Sequence, residues 1–174
     1  MATPTTLPAS FTAGQVLTAA QMNDLRGAFR VLQVVQATKN NVFSTTSATY
    51  TDITDLSVSI TPSATTSKIL VCMSVQTAAG GGGDAMVRLV RDSTAIAVGT
   101  SGTGAFNGVG MAASSYQNQM FTIGLNFLDS PATTSATTYK IQGICNTGTL
   151  YVNRRGVDTT YGGFSTITVM EISA

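Results

Sequence analysis

The residues in this chain best suited to specific chemistry are two adjacent arginines, Arg154 and Arg155, set among Tyr151, Asp158 and Tyr161. A guanidinium fork meets a carboxylate with two parallel hydrogen bonds and stacks on aromatic rings, and tyrosine suits saccharide and protein surfaces. Two readings follow. One is a salt bridge between loops or between subunits, with Asp158 as the acid. The other is contact with a partner outside the chain, a surface glycan or another protein. Asp52 and Asp55, three apart, have the look of the paired carboxylates that cleave glycosides. No further acidic cluster and no aromatic platform accompanies them, so solvated turn residues are expected, with calcium ligation as the alternative. The run Gly80-Gly81-Gly82-Gly83-Asp84 invites comparison with a phosphate-binding loop, but it lacks the Lys-Ser/Thr pair and no helical pattern follows it. A flexible loop is expected there, whose tip is free to approach a neighbouring chain or a glycan.

Ser and Thr are plentiful, yet the chain contains no His. That removes the commonest general base, the commonest metal ligand and the ordinary catalytic triad. The expectation is a non-enzymatic protein with no cofactor and no metal. The 174 residues, 17.9 kDa, make one ordinary domain or a domain with an arm. Charged residues are only 10%, against about 25% in a typical soluble domain. Nine cations against eight anions leave a net charge of +1, which argues against nucleic acid as a partner, because that needs clustered cations. Cys72 and Cys145 both sit in apolar runs and are expected as two buried free thiols; a disulfide would require their strands to be neighbours. The first residues lack the basic and apolar regions of a signal peptide, and no apolar run reaches 18 residues. Assembly in a cytoplasm and no membrane insertion are therefore expected.

Residues 1–10, with Pro4 and Pro8, read as an extended arm. Thr18 and Gln21 then have capping-box spacing, flanked by Leu17 and Met22 as a hydrophobic staple. Met22, Leu25 and Phe29 recur on one helical stripe, which predicts a helix over 19–29. Leu17, Met22, Leu25 and Phe29 are the candidate anchoring residues, packing either on their own sandwich or on a three-chain bundle or virion socket. At Val31 the period changes from 3.6 to 2, so the chain divides into an anchoring arm and helix, 1–30, and a β-sandwich domain, 31–174. Strands are predicted at Val31–Lys39, around Leu56–Ile60, at Lys68–Thr77, Ala85–Arg91, Thr94–Val98, around Phe121–Phe127, at Thr137–Asn146, Leu150–Asn153 and Phe164–Ile172. Lys68–Thr77, apolar on both faces, is expected to be central or covered twice. The Gly-, Ala- and Ser-rich stretch 100–118 reads as a long loop of an exposed or intersubunit surface. About nine short strands separated by Gly, Ser, Thr and Pro turns predict an all-β antiparallel sandwich, a jelly roll of eight principal strands, ahead of an immunoglobulin-like one.

The opening Phe11-Thr-Ala-Gly-Gln-Val-Leu-Thr-Ala-Ala-Gln-Met-Asn23 resembles the N-terminal segment of bacteriophage tail-fibre and appendage proteins. The pieces 31–39, 56–71, 91–94, 129–135 and 165–172 resemble, in the same order, a β domain of phage structural proteins. The resemblance implies a bacteriophage virion appendage, of tail-fibre or head-fibre type, non-enzymatic and often trimeric, with an N-terminal anchor and a distal β domain. Its implied partners are copies of itself and other virion proteins, whether tail, portal-proximal or major capsid protein. Capsid decoration is the alternative role, and a polysaccharide depolymerase a remote one. It carries over no catalytic residue.

Overall fold

The computed structural model describes residues 13–14, 16–19, 22, 31–99 and 107–173. Eleven strands are found among them: β1 (Val31–Lys39), β2 (Phe43–Thr45), β3 (Thr51–Ile60), β4 (Lys68–Gly80), β5 (Asp84–Arg91), β6 (Thr94–Ile96), β7 (Gly110–Ala113), β8 (Phe121–Asp129), β9 (Thr137–Cys145), β10 (Thr149–Val152) and β11 (Ser165–Ile172). The pairing is nested. β5 pairs with β6 and β7, β4 with β8, β3 with β9 and β1 with β11, all antiparallel. That is one long double hairpin, and it is rolled up so that β4 also pairs with β11 and β5 with β9. The result is two stacked sheets, β1-β11-β4-β8 and β3-β9-β5-β6/β7, the strand order of a jelly roll. β2 and β10 extend the lines of β1 and β11 in the first sheet.

Alternation drives the layering. In β11, Ser165, Ile167, Val169 and Glu171 are buried while Thr166, Thr168, Met170 and Ile172 face out. In β9 the buried set is Thr137, Tyr139, Ile141 and onward to Cys145. The inward faces of the two sheets meet in one core containing Ile53, Leu56, Ile69, Val71, Val87, Leu89, Tyr139, Ile141, Leu150, Ile167 and Val169. β4 is central, as its composition predicts, and its last four residues, Thr77–Gly80, are buried on both faces.

Several expectations are corrected. Asp52 and Asp55 lie within β3, not in a turn; Asp55 sits at a break in the β3–β9 register with φ 68°. The stretch 100–118 holds β7 and a 3-10 turn at Ser114–Tyr116. The hairpin arm after Asp92-Ser93 ends at Ile96. The cysteines are both free, but Cys72 is half-exposed on the outer face of the first sheet. Only Cys145 is in the core, where burial raises its thiol pKa while its Sγ donates to Thr147 O at 2.8 Å. The glycine run is no free tip. It turns from β4 into β5 against the Thr147-Gly148 turn, and a Cβ on Gly83 would lie 1.6 Å from Thr147 O. Of the predicted helix, Ala19 and Met22 are helical and Met22 N donates to Thr18 O at 3.0 Å; Leu25, Phe29 and the other residues of 20–30 lie outside the described residues.

Buried polar nodes tie the corners. Tyr139 donates to Asp129 Oδ2 at 2.7 Å, and Arg91 Nη1 reaches both oxygens of the same carboxylate at 2.8 Å, joining β8 of one sheet to β5 and β9 of the other. Burial, with the Asp129 hydrogen bond, pushes the Tyr139 hydroxyl far above its usual pKa. Glu171 is 1% exposed. Its Oε1 accepts from Ser63 N at 2.7 Å, Ser63 Oγ at 2.6 Å and Ser67 Oγ at 2.7 Å, and its Oε2 accepts from Gln33 Nε2 at 2.7 Å. Burial alone would raise this carboxyl; the four donors outweigh it and lower its pKa to about 2.

A carboxylate whose folded pKa lies below its unfolded value stabilises the fold above the unfolded pKa and stops doing so as pH falls through the folded one. Glu171 therefore contributes stability that is intact above about pH 4.5 and lost between there and about pH 2. Replacing it, Glu171→Gln, should cost about 2 kcal/mol near neutrality, since one amide oxygen cannot serve four donors. Chemical denaturation from pH 7 to 2 should show the two proteins converging at the acid end. Curves that stay parallel throughout would contradict this role.

Candidate functional site

The Arg–Tyr cluster stands on a loop that leaves the first sheet and rejoins it. Val152 lies opposite Thr77 and Thr166 opposite Ser74, so residues 153–165 stand against Val75 and Gln76 alone. Asn153 holds the stem. It has φ 61°, a left-handed conformation that asparagine tolerates better than most residues, and it is buried. Its N–H donates to Gln76 O at 2.9 Å, and its Nδ2 to Lys39 O at 2.8 Å and Asn41 O at 3.1 Å. Its Oδ1 accepts from Ser165 Oγ at 2.6 Å, and Gly163 N donates back to Asn153 O at 2.9 Å. Arg154 and Gly162 form the next bridge. The loop then folds over the outer face of β4, where Gly156 N reaches Gln117 O at 2.8 Å and Gly80 leaves room for Gly156 and the Tyr151 ring.

On this stem the five predicted residues come together. The Arg154 guanidinium lies 4.2 Å from the centre of the Tyr151 ring, and its Nε donates to Arg155 O at 3.0 Å. Arg155 lies 4.6 Å from the Tyr161 ring centre and forks onto Asp158, Nε to Oδ1 at 2.6 Å and Nη2 to Oδ2 at 2.5 Å. The Arg155–Asp158 bridge is thus made within one chain. The Arg155 fork, helped by Thr160 N, holds the Asp158 carboxyl well below the usual carboxylate range, and Arg155 is raised in turn. Arg155 and Tyr161 also line a surface pocket of about 300 Å³ with Asn118 and Met120. Tyr161, Val157 and Phe164 are exposed beside it.

The arrangement sets flat rings, stacked guanidinium groups and an amide side by side at the surface. The other candidate chemistry disperses. Asp52 accepts from Lys140 at 2.8 Å and Gln142 at 2.6 Å on the outer face of the second sheet. Asp55 instead takes Lys39 at 3.4 Å and Asn41 at 3.2 Å. Among the described residues no three of Cys, Asp and Glu gather as a metal site. Of the anchoring candidates, Leu17 and Met22 are exposed.

Sequence reasoning missed Asn153, Asn118 and Met120. Asn153 carried a faint signal, an Asn at a strand end able to take a left-handed turn. Asn118 and Met120 carried none, because they meet the cluster through tertiary contacts, the β4–β8 pairing and the Gly156–Gln117 hydrogen bond.

No family model matches the chain, and no curated protein does. Solved structures of similar strand arrangement include the infectious bursal disease virus Gx strain, at 19% identity and a TM-score of 0.36, covering 82% of this chain and 37% of that one. T=1 particles derived from the same virus match at 16% identity and a TM-score of 0.39, with 80% and 39% covered. Its VP2 subviral particle matches at 18% and 0.37, with 80% and 40% covered. The chain therefore spans well under half the length of these neighbours, and at such scores the likeness is one of loose strand arrangement.

Stem and cluster should separate on mutation. Asn153→Ala leaves several buried groups unpaired and should cost about 2 kcal/mol, and it should speed tryptic cleavage after Arg154 and Arg155. Arg154→Ala with Arg155→Ala should leave the thermal midpoint almost unchanged, because exposed ion pairs contribute little. A midpoint as low as that of Asn153→Ala would make the arginines part of the scaffold.

Proposed function

We propose that this chain is a non-enzymatic structural and interaction protein of a bacteriophage virion. It acts as a trimeric fibre or appendage, attached through residues 1–30 and presenting the Arg–Tyr loop to the host surface. The setting rests on the ordered resemblance of residues 11–23 and of five strand and corner segments to phage appendage proteins. The observation that carries the attachment-and-contact reading is the polarity of the fold. The chain enters β1 at Val31, opposite Ile172, which is itself opposite Lys68 at the start of β4. The Arg–Tyr loop emerges beside Gln76, eight residues further along β4, roughly 25 Å away at about 3.3 Å per residue. One end is therefore free to attach while the other makes contact. Three copies would present three such loops, so weak single contacts would sum. The separate engagement of Asp52 and Asp55 supports the non-enzymatic reading over a depolymerase.

Imaging of intact particles should place the chain at a fixed projecting position, with Val31 on the particle side. A chain lacking residues 1–30 should keep a β-type circular dichroism spectrum and fail to enter particles. Normal incorporation of the shortened chain would refute the anchor, and a chain lying flat between capsid subunits would replace the appendage by a decoration role.

A further inference from the structure

We propose that the outer face of the β1-β11-β4-β8 sheet is the surface on which copies of this chain meet. This rests on the reading of the protein as self-assembling and names the face that does it. One cross-strand row is wholly apolar: Val34 lies opposite Met170, Met170 opposite Leu70, and Leu70 opposite Leu128. All four point away from the core, and the two ends of the row, Val34 and Leu128, are 56% and 55% exposed. Leu32 and Ile172 continue the apolar surface towards the end where β1 begins.

The next rows are uncharged. Gln36, Thr168, Cys72 and Asn126 form one, and Thr38, Thr166, Ser74 and Gly124 the other. Their long amides are already paired along the sheet, Gln36 Nε2 with Thr168 Oγ1 at 2.8 Å and, one row on, Gln76 Nε2 with Thr122 Oγ1 at 2.7 Å. Covering this face therefore strands few polar groups.

The opposite face of the sandwich is of another kind. There Lys140 pairs with Asp52, and Arg88 donates to Gln142 while lying 3.8 Å from the centre of the Tyr50 ring. With so few charges in the chain, one sheet carries a network of them outward. On the strands of the other, among the described residues, the outward cation is Lys68 at the rim, bonded to Ser130, while the loop over its far end carries Arg154 on the Tyr151 ring and Arg155 forked onto Asp158.

A neutral, apolar, laterally satisfied face fits a partner of the same character, and three copies can turn that face towards one shared axis. An anionic lipid surface would ask for uncommitted flanking cations, whereas Arg155 is forked onto Asp158 and Lys68 is bonded to Ser130, and a glycan would ask for unpaired donors. Four strands about 4.8 Å apart, over eight residues of about 3.3 Å, offer roughly 500 Å² per copy. A stable interface takes about 800 Å² per partner, and Phe164, exposed just ahead of β11, extends the surface towards that size while the Arg–Tyr loop stays outside it.

Cys72 lies in the middle of this face and Cys145 in the core, so a thiol reagent reads the face directly. The full chain at micromolar concentration should scatter light as a multiple of 17.9 kDa. Its Cys72 should alkylate at least about tenfold more slowly than in Val34→Glu with Leu128→Glu, reactivity following access. That variant should run as a monomer with an unchanged circular dichroism spectrum; should it unfold, Leu128→Lys alone gives the same reading. An oligomer whose mass and Cys72 reactivity ignore these changes would overturn the face while leaving self-assembly standing, whereas a monomeric wild type would overturn both. Met22→Glu with Leu25→Glu tests the other occupant. If it exposes Cys72 at unchanged mass, the N-terminal segment covers the face, and the proposal falls.

Discussion

Glu171 puts a carboxylate where burial is nearly complete and, among the described residues, no cation is paired with it. Such a charge is tolerated only if its lone pairs are filled, and they are filled by three residues from two separate stretches of chain: Gln33 of β1, and Ser63 and Ser67 of the corner between β3 and β4. The last strand is thereby fastened both to the first strand and to the crossover from one sheet to the other. Asp129 does the same between β8 and the β5–β9 pair, and Asn153 between β10, β11 and the chain after β1. A sandwich whose core is aliphatic and small is non-directional; these nodes give the corners their geometry. The segments 56–71, 91–94, 129–135 and 165–172 contain Ser63, Ser67, Arg91, Asp129 and Glu171, so each joins a fastening of the fold to a strand or corner.

What was legible in the sequence follows the same division. Strands of eight residues or more announced themselves, because a period of two needs several repeats to be visible. β1 runs over Val31–Lys39 as predicted, and β8, β9 and β11 lie within two residues of their predicted spans. β2 and β7 were not seen, since Phe-Ser-Thr and Gly-Met-Ala-Ala are too short to carry a period. Asp52 and Asp55 were taken for a turn because aspartate usually marks one. Here Lys140 and Lys39 compensate them inside a strand, and nothing local shows a cross-strand cation. The Arg–Tyr group was visible as a cluster because it is nearly contiguous. The pocket it borders is not, since Asn118 and Met120 approach from the turn ahead of β8, far away in sequence. Buried polar residues were the general blind spot: Glu171 and Asn153 look like surface residues until the partners around them are known.

Electrostatics divides the molecule more sharply than shape does. The second sheet turns a bonded set of charges outward, and the first turns outward hydroxyls, amides and an apolar row. A chain with a tenth of its residues charged has little with which to keep both faces wet. The unshielded strand surface of the first sheet is left nearly without charge, and the Arg–Tyr loop folded over its far end pairs its own, Arg155 with Asp158. The local pairing of Arg155 with Asp158 belongs to the same economy, since a neutralised, stacked guanidinium offers a flat surface rather than a field.

The loop between β10 and β11 has a consequence for how such a protein changes over generations. It departs and returns at neighbouring rungs of β4, and its stem is closed by Asn153, Gly163 and Ser165. Everything beyond that stem is an excursion whose length and composition the ladder does not register. Insertions cost little loop-closure entropy once the ends are fixed. The fold thus puts its fastenings in the buried nodes and leaves the length of this loop to be set beyond a stem that is already closed.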